Sequence, residues 1–153
     1  MQERFKVILS REPYQIVDNI FFLGEIPRKS NFEANKTKWY YLENKEKKED
    51  FVLDDSAIAI KTDKGLIIIA GCSHAGICNI VEYAKEVTNE RRVRAVIGGF
   101  HLFEKEQTDK TIEYFKKETV REIYPMHCLS DYAFSQFSKI GGKRLNTLDE
   151  LRF

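Results

Sequence analysis

The chain has 153 residues, of which 42% are apolar and 12% aromatic, enough to bury one core and too apolar for a disordered segment. Lys and Arg number 25 against 24 Asp and Glu, so the formal charge of +1 offers no global attraction to nucleic acid or to an anionic membrane. No apolar stretch approaches the about 18 residues of a membrane span, and Cys72, Cys78 and Cys128 form no CxxC pair, which disfavours a disulfide framework and a zinc knuckle.

In chain order, "RFKVILS" and "YQIVDNIFFLGEI" each read as a strand, the second ending near Pro27. The opening dodecapeptide "MQERFKVILSRE" has too short an apolar run, with acidic flanks, for a secretion signal, and the expected location is the cytoplasm. Residues 28–50, closing on "NKEKKED", are expected to be a solvated excursion or loop. "SAIAIKT" and "GLIIIAG" are two strands, with Asp63, Lys64 and Gly65 suited to a tight hairpin turn. Asp54 and Asp55, just before them, read as turn residues or site residues.

From Ala75 the period changes. Ile77, Ile80, Val81, Ala84 and Val87 recur at helical spacing and give one apolar stripe. "VRAVIGG" is then a strand, "TDKTIEYFKKET" a helix, "VREIYP" a strand and "SDYAFSQFSKI" a helix, with Ser130 as its N-cap and Gly141 and Gly142 as its stop. Strands alternating with helices after a hairpin predict an α/β fold with a mixed sheet.

The chain has three histidines, and each follows a strand: His74, His101 and His127. They are spaced by about one strand-helix repeat, so all three are expected at one edge of the sheet, outside the carboxyl ends of the strands, where ligands bind in open α/β folds. Neutral imidazole is a metal ligand, and nearby helix N-termini disfavour imidazolium. Cys72 is a further candidate ligand. Cys78 is expected in the core and Cys128 beneath the site, while Gly98 and Gly99 would let the backbone turn closely, for packing or to admit a ligand.

"DDSAIAIKTDKGLIIIAGCSHAGICNIVEYAKEV", "RAVIGGFHLF" and "IYPMHC" resemble the C-terminal part of the metallo-β-lactamase superfamily. The resemblance is to the branch of metal-dependent hydrolases similar to dihydropterin ribofuranosyl-aminobenzene phosphate synthases. It implies that residues 1–153 are a single half-domain, the C-terminal half of an αββα sandwich. It also implies a divalent metal, zinc first and manganese or iron as alternatives, held by His74, His127, His101 and Cys72. The superfamily's HxHxDH motif does not occur in the 153 residues. Cys72 stands where many members carry a bridging aspartate, and Leu129 where a small hydroxyl residue is usual.

Two functions are therefore expected as alternatives. One is a metal-dependent hydrolase module acting on a small molecule only with a complementary N-terminal-half chain, and inactive by itself. The other is a non-catalytic, metal-binding or self-associating module, most simply a homodimer joined through a sheet face that includes Ile58, Ile60, Ile67, Ile69, Val96 and Ile123.

Overall fold

The computed structural model describes residues 6–153. A six-stranded mixed sheet and a separate two-stranded sheet are combined with three helices. In the large sheet, β1 (Tyr14–Val17), β2 (Ile20–Phe22), β5 (Ala57–Thr62) and β6 (Gly65–Ala70) run antiparallel, and β7 (Val93–Gly98) and β8 (Glu122–Pro125) continue from β6 in parallel. β6 is therefore the seam between a meander and two strand-helix-strand crossovers, which α1 (Ile77–Thr88) and α2 (Lys105–Glu118) supply. α3 (Asp131–Lys139) follows β8. None of these helices is long and apolar enough to cross a membrane.

Local chemistry accounts for most of the boundaries. The β5–β6 turn falls at Asp63 and Lys64, where the Thr62 hydroxyl donates to Gly65 O and accepts from Lys64 N. Ser130 caps α3 by accepting from Ala133 N, and the helix stops at Ile140 before Gly141. Asn89 and Thr119 close α1 and α2 in left-handed conformations.

All three helices lie on one face of the sheet. Ala59, Ile68, Val96 and Ile123 are cross-strand neighbours in register, and they share a core with Ile77, Ile80 and Val81 of α1, Ile112 and Phe115 of α2, and Phe137 of α3. Phe100, just after β7, is fully buried between the two later helices, its ring 5.7 Å from Phe115 and 5.1 Å from Phe137. Burying a ring of this size stabilises by about 1.5–3 kcal/mol. It also fixes the backbone that carries His101. Cys78 lies in this core, 3% exposed.

The opposite face carries Ile58, Ile60, Ile67, Ile69 and Ile97. Ile67 is buried, Ile58, Ile60 and Ile97 are half-buried, and Ile69 is 42% exposed. Val96 and Ile123, expected on this face, are on the helix side instead. The register shift between Leu66 and Ile67 sets which β7 residues face which way, and strands buried on both faces carry no alternation from which to read sidedness.

The N-terminal part differs from expectation. Lys6–Ser10 forms no strand, and the beginning of "RFKVILS" lies outside the described residues. The stretch "YQIVDNIFFLGEI" is a hairpin rather than one strand. Val17 pairs with Ile20 around Asp18 and Asn19, and Asn19 takes φ 65°, which a short polar side chain tolerates.

Residues 28–50 are only partly a solvated excursion. Glu33 is 1% exposed and its carboxylate accepts from the backbone N–H groups of Cys78 and Asn79, filling the N-terminus of α1. The side chain of Asn79 accepts in turn from Lys29 N and Ser30 N. The remainder forms the exposed hairpin β3 (Tyr40–Glu43) and β4 (Glu46–Glu49), turned at Asn44 and Lys45 with φ of 51° and 70°.

Candidate metal centre

The loops after β6, β7 and β8 are laced to one another. Gly99 N donates to Gly71 O at 2.7 Å, Leu102 N to Cys128 O at 2.9 Å, and the buried Ser73 hydroxyl to Gly99 O at 2.5 Å. Each loop contains one non-glycine residue with positive φ: Ser73 at 61°, His101 at 47° and Cys128 at 52°. Such conformations are sparsely populated and concentrate at functional sites, where surrounding structure holds them. Two glycines make the close approach possible. Gly98 takes φ 142°, where a Cβ would run into Ala70 O, and a Cβ on Gly99 would meet His127 Nε2 at 2.6 Å.

Sequence places each candidate ligand between buried anchors. His101 sits between Phe100 and Leu102, both fully buried, so the imidazole is left at the surface of the core. His74 stands between Ser73 and Ala75, likewise buried. The four candidates fall into two groups. Cys72 Sγ lies 3.4 Å from His127 Nε2. His74 and His101 are ring to ring, with centroids 4.5 Å apart.

Two further residues join these groups with little local signal to mark them. Cys128, expected beneath the site, brings its sulfur to Cys72 and His127, the donor atoms of all three lying within 4.8 Å of one another. Trp39, in the charged excursion, packs its ring 4.9 Å from His74 and 5.5 Å from His101. Its signal was its singularity: it is the one tryptophan of the chain, set in a lysine-rich stretch. Asp55, a turn or site residue by its sequence, accepts from Ala75 N at 3.0 Å and so steadies the His74 loop, while Asp54 is exposed.

The electrostatics suit cation coordination. Burial lowers the pKa of His101, with His74 and Lys38 adding to the effect and Asp55 opposing it. The ring is therefore held neutral, the form that coordinates. Burial, then the adjacent Cys72 thiol, push the Cys128 thiol up, which opposes coordination until an ion displaces its proton. His74 Nδ1 and His101 Nδ1 are both buried without a hydrogen-bond partner among the described residues. Such orphaned nitrogens are costly unless something fills them. For zinc, bonds of about 2.3 Å to sulfur and 2.0–2.1 Å to nitrogen in a tetrahedron put the two ligand atoms about 3.5 Å apart. The Cys72–His127 separation matches that spacing, so the donors fit a metal ion.

Beside the imidazole pair opens a cleft of about 750 Å³, walled by Trp39 and Phe103 and rimmed by Lys36, Lys38, Lys105 and Lys110. Lys105 is paired with Asp109 and Lys110 with Glu106.

No family model matches the chain. It is 42% identical over 135 residues to the 7,8-dihydropterin-6-methyl-4-(β-D-ribofuranosyl)-aminobenzene-5′-phosphate synthase of Methanocaldococcus jannaschii, a match covering 85% of this chain and 46% of that protein. An uncharacterized protein of the same organism is 33% identical over 131 residues, covering 84% of this chain and 47% of the relative. Among solved structures, the crystal structure of Tm1679, a metal-dependent hydrolase of the β-lactamase superfamily, superposes with a TM-score of 0.75 at 30% identity, covering 88% of this chain and 52% of that one. The chain spans about half the length of the curated relatives it matches. Over the residues that match, the chain is similar to the metallo-β-lactamase superfamily, and within it to the branch of the dihydropterin ribofuranosyl-aminobenzene phosphate synthase.

Proposed function

We propose that this chain is a metal-dependent hydrolase module that supplies one side of a divalent-metal centre and turns over a small anionic substrate only with a complementary half carrying the remaining ligands. The observation that carries this is the convergence of Cys72, His74, His101 and His127 on three loops tied together at one sheet edge. Zinc is the ion that mixed sulfur and nitrogen donors favour, with manganese and iron as the alternatives. A bound ion supplies Lewis acidity and a template for the substrate. The chain's own part is to hold the ion through imidazole and thiolate, to exclude water with Trp39 and Phe103, and to orient an anion with Lys36 and Lys38. The name of the Methanocaldococcus jannaschii synthase includes a pterin and a phosphate, and the cleft's aromatic walls and lysine rim suit a substrate of that kind. Three free cysteines agree with a reducing cytoplasm.

The test compares the chain alone with the chain mixed with a separately produced polypeptide carrying HxHxDH. Hydrolysis of phosphodiester or lactone substrates is expected only in the mixture, and it should vanish with His127→Ala. Turnover by the isolated chain would overturn the proposal.

A second reading, a self-associating module, is favoured by the exposure of Ile69 in the middle of an otherwise apolar face. Two copies packed face to face would cover Ile58, Ile60, Ile67 and Ile69 with two-fold symmetry. Sedimentation of the purified chain distinguishes a dimer from a monomer.

A further inference from the structure

Two of the three cysteines meet at the sheet edge, and the third does not. Cys72, after β6, and Cys128, after β8, are half-exposed free thiols whose sulfurs lie within 4.8 Å of each other. Cys78 is 3% exposed in the core. We propose that Cys72 and Cys128 are a reversible oxidation site, which a hydroperoxide converts to a disulfide joining the loop after β6 to the loop after β8. The proposal concerns the two thiols themselves and does not depend on the metal-centre reading above.

Backbone geometry carries the pairing. The two loops are not neighbours, because β7 lies between β6 and β8. Each is tied instead to the loop after β7. Gly99 N donates to Gly71 O, one residue before Cys72, and Leu102 N donates to Cys128 O. Gly99 has no side chain to separate the two loops: a Cβ there would meet His127 Nε2 at 2.6 Å and Gly71 O at 2.8 Å. In extended chain successive side chains point to opposite sides. Cys128 departs from that alternation with φ 52°, and Ser130 N, donating to Leu102 O, holds the chain just beyond it. A disulfide is about 2.05 Å long, so the sulfurs must still close on each other. On half-exposed loop residues each thiol can turn about its own Cα–Cβ bond without repacking the core.

The chemistry balances with one hydroperoxide. The proton of the Cys72 thiol has an acceptor in His127 Nε2, 3.4 Å from the sulfur. The Cys72 sulfur attacks a peroxide oxygen and the O–O bond breaks. The alkoxide or hydroxide leaves with the electron pair and takes up that proton, and Cys72 becomes a sulfenic acid. The Cys128 sulfur then attacks the sulfenic sulfur, the S–O bond breaks, and the departing hydroxide takes the Cys128 proton as water. Two thiols and one hydroperoxide thus give one disulfide, one alcohol or water, and one further water. The sulfurs are oxidised and the peroxide is reduced. An accessible thiol with a second thiol in reach to resolve it is the arrangement of redox-sensing cysteines. In reducing surroundings such a bond is transient and is undone by thiol exchange.

The experiment treats the reduced, chelator-treated full chain with hydrogen peroxide and follows free thiols, intact mass and peptide masses. The expected result is loss of two of the three thiols, a mass lower by two hydrogen atoms and a Cys72–Cys128 crosslinked peptide, all reversed by dithiothreitol. In urea the same treatment should pair Cys72 with Cys78 at least as readily, because the shorter loop costs less entropy to close. A preference for Cys128 in the folded chain therefore reports the geometry. Cys128→Ser should accumulate the Cys72 sulfenic acid, trapped with dimedone, while the crosslink in the unaltered chain needs no variant to fold. The proposal is overturned by a folded chain in which peroxide leaves all three thiols free, pairs Cys72 with Cys78, or carries both edge cysteines to sulfinic acid without a crosslink. Saturating zinc separates this proposal from the metal-centre reading. Protection by zinc supports Cys72 as an ion ligand as well, whereas a crosslink that forms as fast with zinc as without it counts against that ligand and leaves the oxidation site standing.

Discussion

His127 reaches Cys72 only because residue 99 has no side chain: a Cβ there would stand 2.6 Å from His127 Nε2 and 2.8 Å from Gly71 O. Gly99→Ala is therefore expected to push the His127 imidazole away from the sulfur and to strain the link between the first two loops. The expected result is a loss of zinc affinity of about tenfold or more, with a stability loss of about 1–3 kcal/mol. Zinc competition and urea unfolding check the two effects separately.

Glu33 yields a prediction about pH. Its buried carboxyl caps α1, and desolvation raises its pKa above the ordinary 4.5 despite the opposing hydrogen bonds from Cys78 and Asn79. As pH rises above 4.5, the unfolded chain loses this proton before the folded one does. The contribution to stability is full below 4.5 and is lost as pH passes through the raised folded value. Urea midpoints between pH 4 and 7 should thus fall more steeply in the native chain than in Glu33→Gln. Glu33→Ala should cost about 2–4 kcal/mol at any of these values, because two N–H groups lose their acceptor.

Trp39 is the single tryptophan, so its fluorescence reports on the two imidazoles beside it. Imidazolium quenches indole emission. Burial, His74 and Lys38 keep His101 neutral to below its ordinary 6.5. The part of the acid quenching that His101 contributes should accordingly fall below pH 6.5, and His101→Gln should remove that part. A quenching curve unchanged by that substitution would contradict the packing.

The partly exposed sheet face gives a prediction in solution. A lysine at position 69 would place a charge at the exposed centre of that face. Ile69→Lys is expected to convert a self-associated chain into monomer and to reduce binding of an apolar dye, as read by sedimentation and fluorescence. An unaltered chain that sediments as a monomer at micromolar concentration would contradict it.

Elements specified by local patterns were legible in the sequence. The β5–β6 hairpin, the stripe of α1 and the Ser130 cap each depend on residues a few positions apart, and the strand-end histidines followed from the strand-helix repeat. Glu33 and Trp39 were not legible, because each acquires its meaning from partners far along the chain, at Cys78 and His74. The place of Cys128 depended on one left-handed backbone angle that no composition rule specifies. The hairpin at Asp18 and Asn19 could have been read from those two turn-forming residues, which the apolar run on either side obscured.

Strand order in the large sheet follows chain order, with the β3–β4 hairpin set apart. No strand has to slip between two partners that are already paired. Each new strand can add to the growing edge of the sheet, and each crossover helix can dock as its second strand arrives. The ends of β6, β7 and β8 are then the last part of the sheet to assemble, so the donor atoms of the metal site come together only when the sheet is nearly complete. A metal ion that binds there would act late in folding, slowing unfolding more than it speeds the initial collapse.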